Sequence, residues 1–197
     1  MTTVLLIRHA AADQMNTILY GWNKGVHLND EGRMQAEGLA EKLLPTTISA
    51  IYSSPLERAV ETAGIIAARF GLNVEMCEAT GEVRFGDWTG QTLKQLDGNL
   101  KWQRFNILRS LTNPPGGELM LEVQARMVRF INQLQKLHPN STVCVVSHGD
   151  VIRSTLAHFA GIPLDFINRL EISPASISTI TISEHGPRIL RVNDTVD

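Results

Sequence analysis

Two histidines stand at the ends of two short hydrophobic runs, each with neighbours suited to an anion. The first run is Val4-Leu5-Leu6-Ile7-Arg8-His9, and the second is Val143-Cys144-Val145-Val146-Ser147-His148-Gly149. Both are apolar and rich in β-branched residues, the composition of a buried strand, and both stop abruptly in polar side chains. If the two strands are parallel neighbours, their C-terminal ends open onto one sheet edge, where open α/β sheets bind ligands. Two imidazoles and the Arg8 guanidinium then meet at one place. That convergence suits phosphoryl chemistry.

Two further segments lead to the same edge. Ser53-Ser54-Pro55-Leu56-Glu57-Arg58 follows the run Ile48-Ser49-Ala50-Ile51-Tyr52. Ser54 as N-cap, Pro55 at the first helical position and Glu57 closing a capping box predict a helix that starts there. Arg58 is then about one turn in, with Thr62 at i+4 on the same face. A surface ion pair with Glu57 or Glu61 is the other reading of Arg58. Gly81-Glu82-Val83-Arg84-Phe85-Gly86-Asp87-Trp88-Thr89-Gly90 follows a strand-like run at 73–78. Its glycines and tryptophan predict a tightly turned, aromatic-packed loop. A carboxyl packed against apolar surface has a raised pKa and suits a general acid. Glu82 is the candidate, and Asp87 in the same loop is the alternative.

Arg8, His9, Arg58, Glu82 and His148 thus converge from four separate segments. His and Glu are good metal ligands, but two guanidiniums repel a divalent cation, and no HxxxH or CxxC spacing occurs. No metal and no cofactor are expected. Arginine forks match phosphate oxygens, and a His148 imidazolium would add positive charge where the transition state needs it. His9 keeps a ring nitrogen free to attack phosphorus.

The elements that must position these groups alternate along the chain. Strands are expected at about 3–8, 48–53, 73–78, 142–147, 176–183 and 188–193, and helices at about 30–44, 55–70, 118–138 and 150–161. This alternation predicts a single three-layer α/β/α domain over residues 1–197 with a mostly parallel central sheet. The last two strands flank Ser183-Glu184-His185-Gly186-Pro187 and should form an antiparallel hairpin. Residues 83–117 break the pattern and are expected to form a small helical flap beside the sheet edge. The 197 residues carry 43% hydrophobic and 19% charged side chains and a net charge of −2. There is no global basic field to attract nucleic acid, and no run is long enough to span a bilayer. Cys77 and Cys144 lie in apolar runs and are expected to be buried, reduced thiols. A cytoplasmic protein is the resulting expectation.

In these motifs the chain resembles the histidine phosphatase superfamily, the phosphoglycerate mutase-like branch 1. The resemblance rests on Arg8-His9, on Ser53-Ser54-Pro55-Leu56 through Arg58 and Thr62-Ala63, on the Glu82 loop with Gly86, Trp88 and Gly90, and on Ser147-His148-Gly149. Leu28-Asn29-Asp30-Glu31-Gly32 and Pro115-Gly116-Gly117-Glu118 resemble the family's entries to two helices. The resemblance implies that His9 accepts the phosphoryl group, that Arg8, Arg58 and His148 hold it, and that Glu82 protonates the leaving oxygen. It also implies phosphate contacts from the Gly149 N–H and from Asn16. Ala10 and Ala11 depart from the family pattern, which has glycine and then a polar residue after the histidine. The stretch 20–27 also departs, and Trp22, Asn23 and His27 are candidates to shape the substrate pocket. His138, His158 and His185 read as helix-end, helix-face and turn residues.

The activity implied is hydrolysis of a small phosphorylated metabolite through a phosphohistidine. The alternatives are a phosphoglycerate mutase-type isomerase using the same intermediate, and a phosphate-binding protein that has lost catalysis. The short chain and the Gly-Asp-Trp-Thr-Gly pattern favour the hydrolase. A homodimer is common in the family resembled, and no feature of the chain decides it.

Overall fold

The computed structural model describes residues 1–13, 15 and 17–195. Its strands are β1 (Thr2–Arg8), β2 (Ala50–Ser53), β3 (Val74–Met76), β4 (Thr142–Ser147), β5 (Ile177–Ser183) and β6 (Gly186–Asp194). They form one sheet in the order β3-β2-β4-β1-β5-β6. The first four are mutually parallel, with Arg8 opposite Ser147 and Ser53 opposite Val146. β5 runs antiparallel to β1, and β6 antiparallel to β5, so the chain ends in the expected hairpin.

Strand periodicity builds the three layers. Successive side chains point to opposite faces. Val4 and Leu6 of β1 pack with Val143 and Val145 of β4 on one face. Leu5 and Ile7 pack with Cys144 and Val146 on the other. Because both faces are covered, these strands read as continuous apolar runs, not as an alternation. Helices α1 (Asp30–Leu43) and α2 (Glu57–Phe70) cover the second face through Leu39, Ala40, Ala63 and Ile66. The chain next makes two short helices, α3 (Leu93–Asp97) and α4 (Leu100–Ile107). Helices α5 (Met120–Leu137) and α6 (Gly149–Ala160) cover the first face through Met127, Ile131, Ile152 and Leu156.

Residues 83–117 hold α3, α4 and a 3-10 turn at Gly86–Trp88. Trp88, Trp102 and Phe105 form a cluster with ring centroids 5.3 to 5.9 Å apart. Gly86 has φ +53°, and a Cβ there would sit 2.0 Å from the Pro115 carbonyl oxygen. Only glycine allows this closure of the loop onto its own end.

Three local expectations are corrected. Helix α2 starts at Glu57 with Leu56 as its N-cap, and no side chain caps it. Ser54 instead forms a turn in which its Oγ accepts from the Leu56 N–H at 3.3 Å, and Glu57 accepts from the Gly25 N–H at 3.1 Å. Arg58 is therefore the second helical residue, not one turn in. Strand β3 has three residues, half the length expected, because it is the edge of the sheet and pairs only with β2. At its end Cys77 is only partly buried, whereas Cys144 in central β4 is fully buried; both are free thiols.

Candidate active site

Three neighbouring strands end together. β1 delivers Arg8 and His9, β2 leads through Ser54 to Arg58, and β4 delivers His148 with Gly149 opening α6. Glu82 arrives from the loop beyond β3. The imidazoles of His9 and His148 meet edge to face with centroids 5.1 Å apart, close enough for both to touch one phosphoryl group.

His9 is buried, and its hydrogen bonds assign its protons. Nδ1 lies 2.8 Å from the Ala10 carbonyl, which can only accept, so Nδ1 carries the proton. Nε2 is left with a lone pair, and the Arg58 Nε–H donates to it at 3.2 Å. Burial, then Arg58 and Arg8, hold the His9 pKa well below the usual histidine value. Neutral His9 thus presents a bare, oriented nitrogen. The loop behind it is tied by Thr62, whose hydroxyl accepts from the Ala10 N–H at 3.1 Å and donates to the Arg58 carbonyl at 2.7 Å.

The guanidiniums are held but not saturated. Arg58 Nη2 donates to the Gly21 carbonyl at 3.0 Å, and Arg8 Nη1 to the Ile172 carbonyl at 2.6 Å. Arg58 Nη1 and Arg8 Nε are buried with no hydrogen-bond partner among the described residues. A buried charged donor without an acceptor is costly, and an anion at this point would satisfy both.

His148 differs from the expected imidazolium. Burial, followed by Arg58, His9, Arg126 and Arg8, depresses its pKa well below the usual value. Its Nε2 lies 2.8 Å from Ser54 Oγ, and its Nδ1 lies 3.3 Å from Arg58 Nη2, which can only donate. The tautomer assigned is therefore Nε2–H, with Nδ1 bare toward the site. The physical reason is that the imidazole is fully desolvated and that Arg58, His9, Arg126 and Arg8 further oppose a proton on it. A bound dianion reverses that balance and favours a proton on Nδ1.

Glu82 sits on the other side, with Oε2 3.7 Å from His148 Nδ1 and Oε1 accepting from the Val83 N–H at 2.9 Å. Burial and then Asp150 push its pKa up to about 6, against the lowering pull of Arg58, Val83 and Arg8. It can give a proton and take one back near neutral pH. Asp87, the alternative acid, is exposed and outside the cleft lining. The cleft has a volume of about 130 Å³ and is lined by Arg8, His9, Arg58, Glu82 and Gly149, with Ile18, Leu19, Tyr20 and Phe85 as its apolar wall. Among the described residues no group of three or more His, Cys, Asp or Glu is arranged to hold a metal ion.

The model of the histidine phosphatase superfamily (branch 1) matches residues 4–195. The chain belongs to that superfamily. It is 30% identical to phosphoserine phosphatase 1 of Hydrogenobacter thermophilus, over 99% of this chain and 93% of that protein. Among solved structures, Bacillus stearothermophilus YhfR superimposes with a TM-score of 0.93 at 27% identity over 100% of both chains. The mycobacterial glucosyl-3-phosphoglycerate phosphatase Rv2419c gives 0.88 at 26% identity, over 98% of this chain and 99% of that one.

In this histidine phosphatase, Ala10 takes the place of the family's glycine without strain, since it is not among the described non-glycine residues with positive φ. The Ala11 N–H donates to Gln35 at 2.9 Å. Two candidates are placed elsewhere. Trp22 does not line the cleft; its Nε1–H donates to the Glu82 carbonyl at 2.6 Å, and its ring stacks 3.8 Å from the Arg84 guanidinium. His27 pairs with Glu61 away from the cleft. Asn16 lies outside the described residues. His138 bonds the Tyr52 hydroxyl at 2.9 Å and does not line the cleft.

Sequence reasoning missed Asp150 and Arg153, which line the cleft from the first turns of α6. Their i, i+3 spacing directly after His148 was the available signal. Asp150 is held below the usual carboxylate pKa by Arg109 and then Arg153, against burial. Arg109 Nη1 reaches it at 2.5 Å from the segment after α4, a contact across 41 positions that no local pattern announces.

Proposed function

We propose that the protein is a phosphomonoester hydrolase in which His9 Nε2 takes the phosphoryl group from a small phosphorylated metabolite. The observation that carries this reading is the bare Nε2 of His9 beside two buried arginine donors that lack acceptors. The phosphoryl oxygens bind Arg8, Arg58 and the Gly149 N–H. His148 gains a proton on Nδ1 as the dianion enters and donates it as a hydrogen bond. His9 Nε2 attacks phosphorus, the ester P–O bond breaks, and the Glu82 carboxyl protonates the leaving alkoxide. Glu82, now a carboxylate, takes a proton from water, which attacks phosphorus and breaks the P–Nε2 bond. Inorganic phosphate leaves, and Glu82 is again an acid.

In this reading the positive charge that a metal would supply comes from the two arginines, so the reaction proceeds without one. A cytoplasmic setting belongs to the same reading and is supported by two free thiols; among the described residues no helix is long and apolar enough to cross a membrane. The test is a panel of phosphorylated metabolites with inorganic phosphate as the readout. One equivalent of phosphate per ester consumed supports the hydrolase. Transfer to a second hydroxyl with no phosphate release would point to a mutase-type isomerase instead.

A further inference from the structure

The carboxyl of Glu82 is aimed by its own backbone. Its Oε1 accepts from the Val83 N–H at 2.9 Å. That N–H belongs to the same peptide unit as the Glu82 carbonyl, and a peptide unit is a rigid plane. Two donors grip the carbonyl: Trp22 Nε1 at 2.6 Å and Arg126 Nη2 at 3.0 Å. Carbonyl and N–H project from opposite edges of a trans peptide, so rocking the plane at one edge displaces the other. A group that holds the carbonyl therefore holds the hydrogen bond that orients the carboxyl.

Both donors are themselves fixed. Arg126, in α5, donates Nη1 to the Ala79 carbonyl at 2.6 Å and forms a fork with Glu118 at 3.0 and 3.4 Å. Glu118 Oε1 also accepts from the Arg84 N–H at 2.8 Å, and the Glu118 N–H donates to the Arg84 carbonyl at 3.0 Å. Arg126 and Glu118 thus hold the chain on both flanks of Glu82. Trp22 comes from the loop that follows β1. Its indole lies against Gly81, where a Cβ would stand 2.9 Å from Cη2 and closer still to Cζ2. Gly81 has φ −65°, which any residue adopts, so the indole and not the backbone demands glycine there. Beside Trp22, the Gly21 carbonyl accepts from Arg58 Nη2 at 3.0 Å. Two adjacent residues thereby tie a phosphate-binding arginine to the peptide that carries Glu82.

We propose that Trp22 and Arg126 are positioning residues for the leaving-group acid: they lock the Glu82–Val83 peptide plane, and that plane sets where the Glu82 carboxyl stands against the phosphoryl group. The inference rests on the reading of Glu82 as the acid. Neither residue lines the cleft, so each acts through Glu82 and not on the substrate.

The experiment compares wild type with two variants that leave Glu82 intact. Trp22→Phe keeps a ring and removes the N–H. Gly81→Ala pushes the indole aside without altering Trp22. The readout is kcat/KM for one alkyl and one aryl phosphate. Both variants should lose about tenfold on the alkyl ester, the effect of one hydrogen bond. On the aryl ester, whose phenolate needs no proton, they should stay within about twofold of wild type. The alkyl loss should fall on kcat, and the inhibition constant of inorganic phosphate should hold within about threefold, because Arg8 and Arg58 still bind it. The double variant should lose no more than about threefold beyond either single one, since one contact underlies both. Arg126→Lys keeps the charge but cannot reach Ala79, Glu82 and Glu118 together, and it should show the same leaving-group pattern.

The pH profile separates aiming from packing. The Val83 hydrogen bond favours the carboxylate, so weakening it raises the pKa of Glu82 and moves the alkaline limb for alkyl esters above the wild-type value of about 6. The other groups facing Glu82 are Arg8 of β1, Arg58 of α2, His148 after β4 and Asp150 of α6, and none is altered in these variants. Equal losses on alkyl and aryl esters, or an alkaline limb that does not move, would overturn the inference. Should Trp22→Phe not fold, Gly81→Ala and Arg126→Lys carry the same comparison. Leaving-group dependence in Glu82→Gln that is absent from these variants would overturn the positioning role alone. Its absence from Glu82→Gln as well would overturn the acid reading beneath it.

Discussion

Replacing Glu82 by glutamine should make the protein more stable and less active, with both effects set by one titration. Burial and Asp150 raise the carboxyl pKa from 4.5 to about 6. A pKa difference converts to free energy at ~1.4 kcal/mol for each tenfold change in proton affinity, so ionising Glu82 costs roughly 2 kcal/mol more in the folded protein than in the unfolded chain. Because the folded-state pKa lies above the unfolded one, the folded protein holds this proton more tightly. The stabilisation is complete below the unfolded value and is lost as pH rises through about 6. Glutamine keeps the size of the side chain and an acceptor for the Val83 N–H, and it never ionises. Relative to wild type, Glu82→Gln should therefore be near neutral at pH 4 and more stable by up to roughly 2 kcal/mol at pH 8, read from urea unfolding at both values. Turnover moves the other way. Wild-type kcat/KM for alkyl phosphates should fall tenfold per pH unit above about 6, as the acid form disappears. The variant should lose a further 10²–10⁴-fold or so on alkyl esters, while phosphorylation by an aryl phosphate, whose phenolate needs no proton, suffers far less. A variant whose relative stability is the same at both pH values, or one slowed equally on alkyl and aryl esters, would refute the reasoning.

Ser54→Ala removes the acceptor that places the His148 proton on Nε2 and should lower kcat/KM about tenfold, the effect of one ordinary hydrogen bond; no change in steady-state kinetics would show that another group fixes the tautomer. Arg109→Ala strands Asp150 with one partner and should cost about 3–5 kcal/mol of stability, as breaking a buried ion pair does. Thermal unfolding reads that loss, and a change well under ~1 kcal/mol would mean the pair is solvated. Phosphate release should persist in excess chelator, and activity restored only by magnesium or zinc would require a different mechanism. Asp87→Asn should leave the alkyl-to-aryl ratio within about twofold of wild type, because Asp87 is exposed and outside the cleft lining.

What the sequence made legible followed from strand physics. Residues 4–9 and 143–148 are each a run buried on both faces that ends in polar groups, and two such runs paired in parallel must bring His9 and His148 to one edge. Glu82 was legible for the same reason, as a carboxyl just beyond a strand in an aromatic loop. The helix start at Ser54 was misread because the capping signals are local, while the hydroxyl is engaged by His148, ninety-four positions away. The roles of Trp22 and Arg109 were hidden likewise: their partners, the Glu82 carbonyl and Asp150, are contacts between loops and helices that periodicity does not encode. The charge on His148 was misjudged because a sequence shows which groups converge but not how deeply they are desolvated.

The central claim is that His9 Nε2 carries the phosphoryl group, and trapping that adduct tests it most directly. Wild type mixed with a radiolabelled aryl phosphate and quenched in alkali within one turnover should yield one labelled site per chain, stable to base, labile to acid, and located on His9. His9→Ala should show no label and a loss of turnover above about 10³-fold, yet still bind inorganic phosphate through Arg8 and Arg58. Label on any other residue, or turnover that survives in His9→Ala, would contradict the account.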